Sequence, residues 1–132
     1  MNLFIKIFFV TPIFYSVTFT QDFSKIDKDL SDLNFNKTLI SLEELNNLYP
    51  NNKDILLRLS ITHHYLSEKA IQQKEDKENA QKAFKYIDHA FSLNSEDPNV
   101  LKWYVIALGK TVEEESIRTV SYTHLRAHET FH

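Results

Sequence analysis

Six histidines, three consecutive glutamates and a single glycine are the residues here that could carry chemistry, and their spacing argues against it. His63, His64 and His89 are the histidines that precede residue 119. Adjacent His63 and His64 point roughly 100° apart on a helix, so they do not form the i, i+4 pair that chelates zinc. His63 is expected near an inter-helix core and His64 near a groove. Glu113, Glu114 and Glu115 bring three carboxylates together in the chain, but consecutive residues fan around a helix and leave a charged surface run. Gly109 stands alone, so there is no glycine-rich phosphate loop. Cysteine is absent, which removes thiolate metal sites and a disulfide framework. The expectation is a chain that is not an enzyme and uses no cofactor and no metal. Asn36-Lys37-Thr38 matches the N-glycosylation pattern, which matters only in a eukaryotic secretory pathway.

Charge points away from nucleic acid. Residues 21–119 carry 13 Lys+Arg against 17 Asp+Glu, a net of −4, with no basic block. A mildly acidic surface does not suit a phosphate backbone. Lysine outnumbers arginine 12 to 3, and there are ten asparagines, which suggests an AT-rich coding sequence and says nothing of function.

Both ends differ in character from the middle. Residues 1–20 hold one cation, Lys6, followed by an uncharged, largely apolar run with a central Pro12. That run, about 14 residues, is short beside the roughly 20 that a membrane span needs. Its length and flanks favour a cleaved secretory signal peptide, with Thr18 and Thr20 at the small positions before Gln21. The alternative is an uncleaved anchor with Lys6 snorkelling to the interface. Cleavage implies a secreted or periplasmic protein, and retention implies a membrane-anchored one. At the other end, Val-Ser-Tyr-Thr-His-Leu-Arg-Ala-His-Glu-Thr at 120–130 resembles the in-frame translation of a transposase adapter used in preparing sequencing libraries. Three histidines fall in the last nine residues, and the apolar rhythm stops at Thr119. On this reading residues 120–132 are an adapter-derived tail, and residues 21–119 are a domain truncated at its C-terminal side.

The elements in between read as helices. Prolines there are confined to Pro50 and Pro98, and Gly109 is the only glycine, so turns must be short. Phe23, Ile26, Leu30 and Leu33 fall at i, i+3, i+7 and i+10, one helical stripe. Leu39, Leu42, Leu45 and Leu48 form a second, ending at Tyr49-Pro50. Asn51 or Asn52 caps a third helix carrying Ile55, Leu56, Leu59, Tyr65 and Leu66. Ala80, Ala83, Phe84, Ile87, Ala90 and Phe91 mark a fourth. Asp97-Pro98 reads as N-cap and first helical residue of a fifth, with Leu101, Tyr104, Val105 and Leu108 on one face. No strand alternation of useful length follows residue 20, so the fold class is all-α.

Self-similarity turns five helices into a repeat. Leu42–Asn52 resembles Ile87–Asp97, placing Pro50 and Ser95 in equivalent positions 45 residues apart. Ala83–Asn94 resembles the second helix of a tetratricopeptide repeat, with Ala83 and Ala90 at the small positions and Ile87 at the large one between them. The ordinary period is 34 residues. The surplus is the polar run Ser67–Lys77, read as a solvated helix extension or loop. Leu56, Arg58, Leu59, Tyr86, Ala90, Lys102, Trp103, Tyr104 and Ile106 occur in an order that resembles the regulator of microtubule dynamics family, over about residues 39–108. That resemblance implies a tetratricopeptide-like α-solenoid. It also implies a role of the kind known for the family, whose members are in some cases membrane-anchored and are linked to microtubules and organelle contacts.

Stacked helix pairs leave a binding surface lined by the first helix of each pair. In this register it comprises Leu57, Ile61, His64, Tyr65, Lys102 and Ile106, flanked by Asp54 and Trp103. Leu57, Ile61 and Ile106 fit equally well as contacts to neighbouring helices, and Trp103 as a core residue or a binding hot spot. The expected function is a protein-interaction scaffold that grips a protein or peptide through this surface. The alternatives are a non-catalytic accessory domain of a larger enzyme cut off near residue 119, and a membrane-tethered adaptor. Nucleic acid is not an expected partner, and the membrane enters only through an uncleaved leader.

Overall fold

A computed structural model describes residues 21–129, an all-α array of five helices with no strand among the described residues. They are α1 (Ser24–Ser31), α2 (Phe35–Leu48), α3 (Lys53–Lys69), α4 (Gln73–Leu93) and α5 (Pro98–Glu129). The leader expected over residues 1–20 lies outside the described residues, as do residues 130–132 of the expected tail.

Side-chain caps set where the repeating helices begin. The Asn52 carboxamide oxygen accepts from the Asp54 and Ile55 backbone N–H groups at 2.9 and 3.1 Å. Asp97 does the same for Asn99 and Val100 at 2.8 and 3.4 Å, with Pro98 at the first helical position.

Packing is organised around α3. Its Ile55 and Leu59 join Ile26 and Leu42 in one core cluster, with Phe23, Leu39 and Leu45 against it. Its Leu56 and Leu57 join Ile87, Ala90, Val100 and Ala107 in a second, flanked by Phe84, Phe91, Trp103 and Tyr104. Half-buried Tyr86 packs on both. Small residues bring α3 and α4 close, and the buried Ser60 hydroxyl donates to the Ala83 carbonyl at 2.7 Å.

Four details differ from the sequence reading. Leu33 does not continue the α1 stripe; it is exposed and has φ of 63°. Its N–H meets the Leu30 carbonyl and the Asn34 N–H meets that of Asp29, a Schellman cap of the kind usually built on glycine. Leu48 lies at the last turn of α2 and is exposed, not part of the buried stripe. On α5 the buried face runs through Val100 and Ala107, whereas Leu101, Val105 and Leu108 face outward, because α3 and α4 meet the helix on its other side. Finally, α5 does not stop at Thr119. No proline or glycine follows Gly109 in that stretch, and its backbone stays helical to Glu129.

The polar run Ser67–Lys77 is divided. Residues up to Lys69 extend α3, a short connector follows, and α4 starts at Gln73. It is not wholly solvated, since the buried Ser67 hydroxyl donates to Asp76.

Candidate interaction surface

Two ion pairs fix how α3 and α5 lie together. Near their N-terminal ends Lys53 Nζ sits 2.5 Å from Asp97 Oδ2. Further along, Lys110 Nζ lies 3.4 Å from Glu68 Oε1 and 3.4 Å from Asp76 Oδ1. Early residues thus pair with early and late with late, so α3 and α5 run parallel, as the first helices of successive repeats must.

Between those pairs the two helices share an aromatic surface. The Tyr65 and Trp103 ring centroids are 6.1 Å apart at 68°, and the His64 and Trp103 centroids 5.5 Å apart at 68°. Such edge-to-face contacts put positive ring edges against a negative face. Phe35, at the start of α2, stacks on Tyr65 at 5.8 Å and 17°. Two lysines border the patch: Lys69 Nζ lies 4.7 Å from the Phe35 centroid, and Lys102 Nζ 5.8 Å from that of Trp103.

The six residues singled out in the sequence divide by depth. Tyr65 and Lys102 are exposed, and Ile61, His64 and Ile106 are half-buried. Leu57 is only 8 % exposed and belongs to the core with Ile87, Val100 and Ala107, so its side chain has little surface to offer a partner. Ile61 packs against that same cluster. Of the flanking residues, Trp103 is half-buried and belongs to the aromatic patch, and Asp54 is half-buried beside Lys53. Phe35, Lys69 and Lys110 were not legible as members. Phe35 meets Tyr65 across 30 residues of chain, and nothing in local spacing announces that contact.

Burial favours the neutral form of His64, and neighbouring carboxylates favour the charged form of Lys110. Burial pushes the His64 pKa below its ordinary value, with Glu68 opposing and Lys110 assisting. Burial works against the Lys110 charge, but the carboxylates of Asp76 and Glu68 outweigh it and raise its pKa. His63 is buried behind the surface, stacked on Tyr86 at 5.6 Å, with Nδ1 2.9 Å from Asn79 Oδ1. Burial lowers its pKa too. The histidine pair is therefore split between core and groove. Among the described residues, no group of three or more His, Asp or Glu side chains is placed to hold a metal ion.

A cleft of about 700 Å³ opens elsewhere, between α4 and α5, lined by Lys74, Lys77, Phe84, Thr111 and Glu114 among others. None of the six residues lines it. Among the described residues no helix is long and apolar enough to cross a membrane.

Residues 22–121 match the family model described as regulator of microtubule dynamics protein 1-3. No curated protein matches the chain, and no solved structure does.

Proposed function

The chain belongs to the regulator of microtubule dynamics family, and on that premise we propose that it acts as a protein-interaction scaffold. The observation that carries this reading is the aromatic patch on the α3–α5 face, where exposed Tyr65 leans on Trp103 between two lysines. Tyrosine and tryptophan are among the residue types that dominate binding energy in protein interfaces. Parallel first helices present them on a rigid face with little entropy left to lose. Lys69 and Lys102 would favour acidic side chains flanking an aromatic or aliphatic anchor in the bound segment. The binding set in this reading is Tyr65, Lys102, His64, Trp103 and the exposed parts of Ile61 and Ile106, with Leu57 supporting them from below.

The test is selection from a displayed random-peptide library against the whole chain, with a Tyr65→Ala, Lys102→Glu variant as counter-selection. Enrichment of acidic peptides with an apolar anchor that the variant no longer captures supports the scaffold. Equal capture by both proteins would move the binding site off this face.

Compartment is part of the same proposal. The apolar leader would deliver the scaffold outside the cytoplasm or hold it at a membrane, and N-terminal sequencing of the expressed protein tells these apart. A mature start at Gln21 means cleavage, and an intact Met1 means an anchor.

A further inference from the structure

His63, His64 and His89 differ in what holds their rings. His63 Nδ1 lies 2.9 Å from Asn79 Oδ1, and His89 Nε2 lies 3.1 Å from Asn51 Oδ1. No hydrogen bond from a described residue reaches either ring nitrogen of His64. Those nitrogens are not among the sealed polar atoms of the fold, so solvent or a bound segment can meet them. The ring itself is held by its neighbours, with its centroid 5.5 Å from that of Trp103 and 5.9 Å from that of Tyr65. An imidazole with open nitrogens thus stands inside the aromatic patch.

The charges around it leave a place for a ligand carboxylate. Glu68, one turn further along α3, favours the imidazolium, and Lys110 on α5 opposes it. Glu68 is already shared, because Lys110 Nζ lies 3.4 Å from Glu68 Oε1. Asp76 of α4 is held by the same lysine and by the Ser67 hydroxyl. From α2 comes the uncharged Phe35 ring, stacked on Tyr65. Lys69 over Phe35 and Lys102 over Trp103 complete the rim, both positive. Both carboxylates of this group are committed to Lys110, while the rim attracts anions.

We propose that His64 couples capture of an acidic segment to proton uptake. On binding it takes a proton from solvent, and its imidazolium donates a hydrogen bond to a carboxylate of that segment. This inference rests on the Tyr65–Trp103 face being the binding face. The new cation also lies within about 6 Å of the Trp103 centroid, the range in which an aromatic ring favours positive charge. In the free chain burial holds the His64 pKa below its ordinary value, and a ligand carboxylate raises it. Affinity therefore rises as pH falls through the bound-state value and levels off below the free-state one. Partly exposed ion pairs contribute modestly, so the expected gain is about two- to fivefold.

The probe is a histidine-free acidic peptide from the library selection, titrated calorimetrically into the full chain at constant ionic strength. Its Kd should fall about two- to fivefold between about pH 7.5 and about pH 5.5. Repeating the titration near about pH 6 in two buffers of different ionisation enthalpy should show net uptake of a fraction of a proton. His64→Gln should bind as the unsubstituted chain does at about pH 7.5, where the imidazole is neutral, and lose both the uptake and the pH dependence. His89→Gln, away from this face, should keep both. Circular dichroism should show each protein folded across the range. Equal affinity at the two pH values, or uptake that survives in His64→Gln, would overturn the proposal. Tyr65→Ala separates this from failure of the binding face. Peptide that binds Tyr65→Ala unchanged contradicts the face and this proposal with it. Capture that Tyr65→Ala abolishes but pH leaves unchanged removes the role of His64 alone.

Discussion

Asn52 and Asp97 make the same cap 45 residues apart: each side-chain oxygen accepts from the backbone N–H groups two and three residues on. The later cap also receives Lys53 of the earlier helix, so the start of one repeat is fastened to the start of the next. The ion pair and the cap's own hydrogen bonds hold the Asp97 pKa below the usual carboxylate range.

That double role makes Asp97 separable by substitution. Asp97→Ala removes cap and ion pair and is expected to cost about 1–2 kcal/mol of stability. Asp97→Asn keeps the cap and should lose no more than about 0.5 kcal/mol, since a partly exposed pair contributes little. Urea unfolding of both variants measures the difference. Equal losses would mean that the cap carries no weight.

Leu33 offers a gain of stability. A leucine held at positive φ suffers a steric penalty of about 1–2 kcal/mol that glycine avoids, and its exposed side chain contributes little burial. Leu33→Gly should stabilise the fold by about 0.5–1 kcal/mol, net of the extra chain entropy glycine loses. A lower thermal midpoint would show that Leu33 packs in a way its exposure does not reveal.

The α3–α4 contact tolerates small residues only. Ala83 is buried at the point where Ser60 donates to its carbonyl. Ala83→Leu should therefore destabilise by about 1–3 kcal/mol through overpacking. Ser60→Ala should cost about 1 kcal/mol, the net worth of one hydrogen bond. Chemical unfolding of the two variants should rank them in that order, and a neutral Ala83→Leu would contradict the close approach.

Stability should fall in mild acid. Burial lowers the pKa of His63, so the folded state binds its proton less readily than the unfolded chain. The stabilisation from a neutral His63 is complete above the unfolded value of about 6.5 and is lost as pH falls through the lowered folded value. His64 shifts in the same direction. Urea midpoints between about pH 7.5 and about pH 5 should decline, and His63→Gln should flatten part of that slope. A slope unchanged in His63→Gln would place the acid sensitivity in other groups.

Helix content, the cap at Asp97, a cap at Asn51 or Asn52 and the 45-residue repeat were legible because they rest on local signals: periodicity, an Asx residue before a helix, proline at its first position. The structure decides for Asn52. The core face of α5 was not. Its apolar residues surround much of the helix, and only the positions of α3 and α4 decide that Val100 and Ala107 go inward while Leu101 and Val105 stay out. Leu33 misled for a related reason: the spacing fits a stripe, but the backbone has already turned into its cap. Of the candidate surface, Tyr65, His64 and Lys102 were readable from the repeat register. Phe35 and Lys69 were not, since their contacts join residues remote in the chain or cross from one helix to another.

Trp103 is the only tryptophan, and its ring contacts His64 and Tyr65, so its emission is sensitive to the proposed binding face. The decisive measurement is a fluorescence titration of the full chain with an acidic, apolar-anchored peptide obtained by the library selection. A saturable change in Trp103 emission that Tyr65→Ala abolishes, with the circular-dichroism spectrum preserved, is the predicted result. Peptide that binds with Trp103 emission unchanged, and equally well in Tyr65→Ala, would contradict recognition through the α3–α5 face.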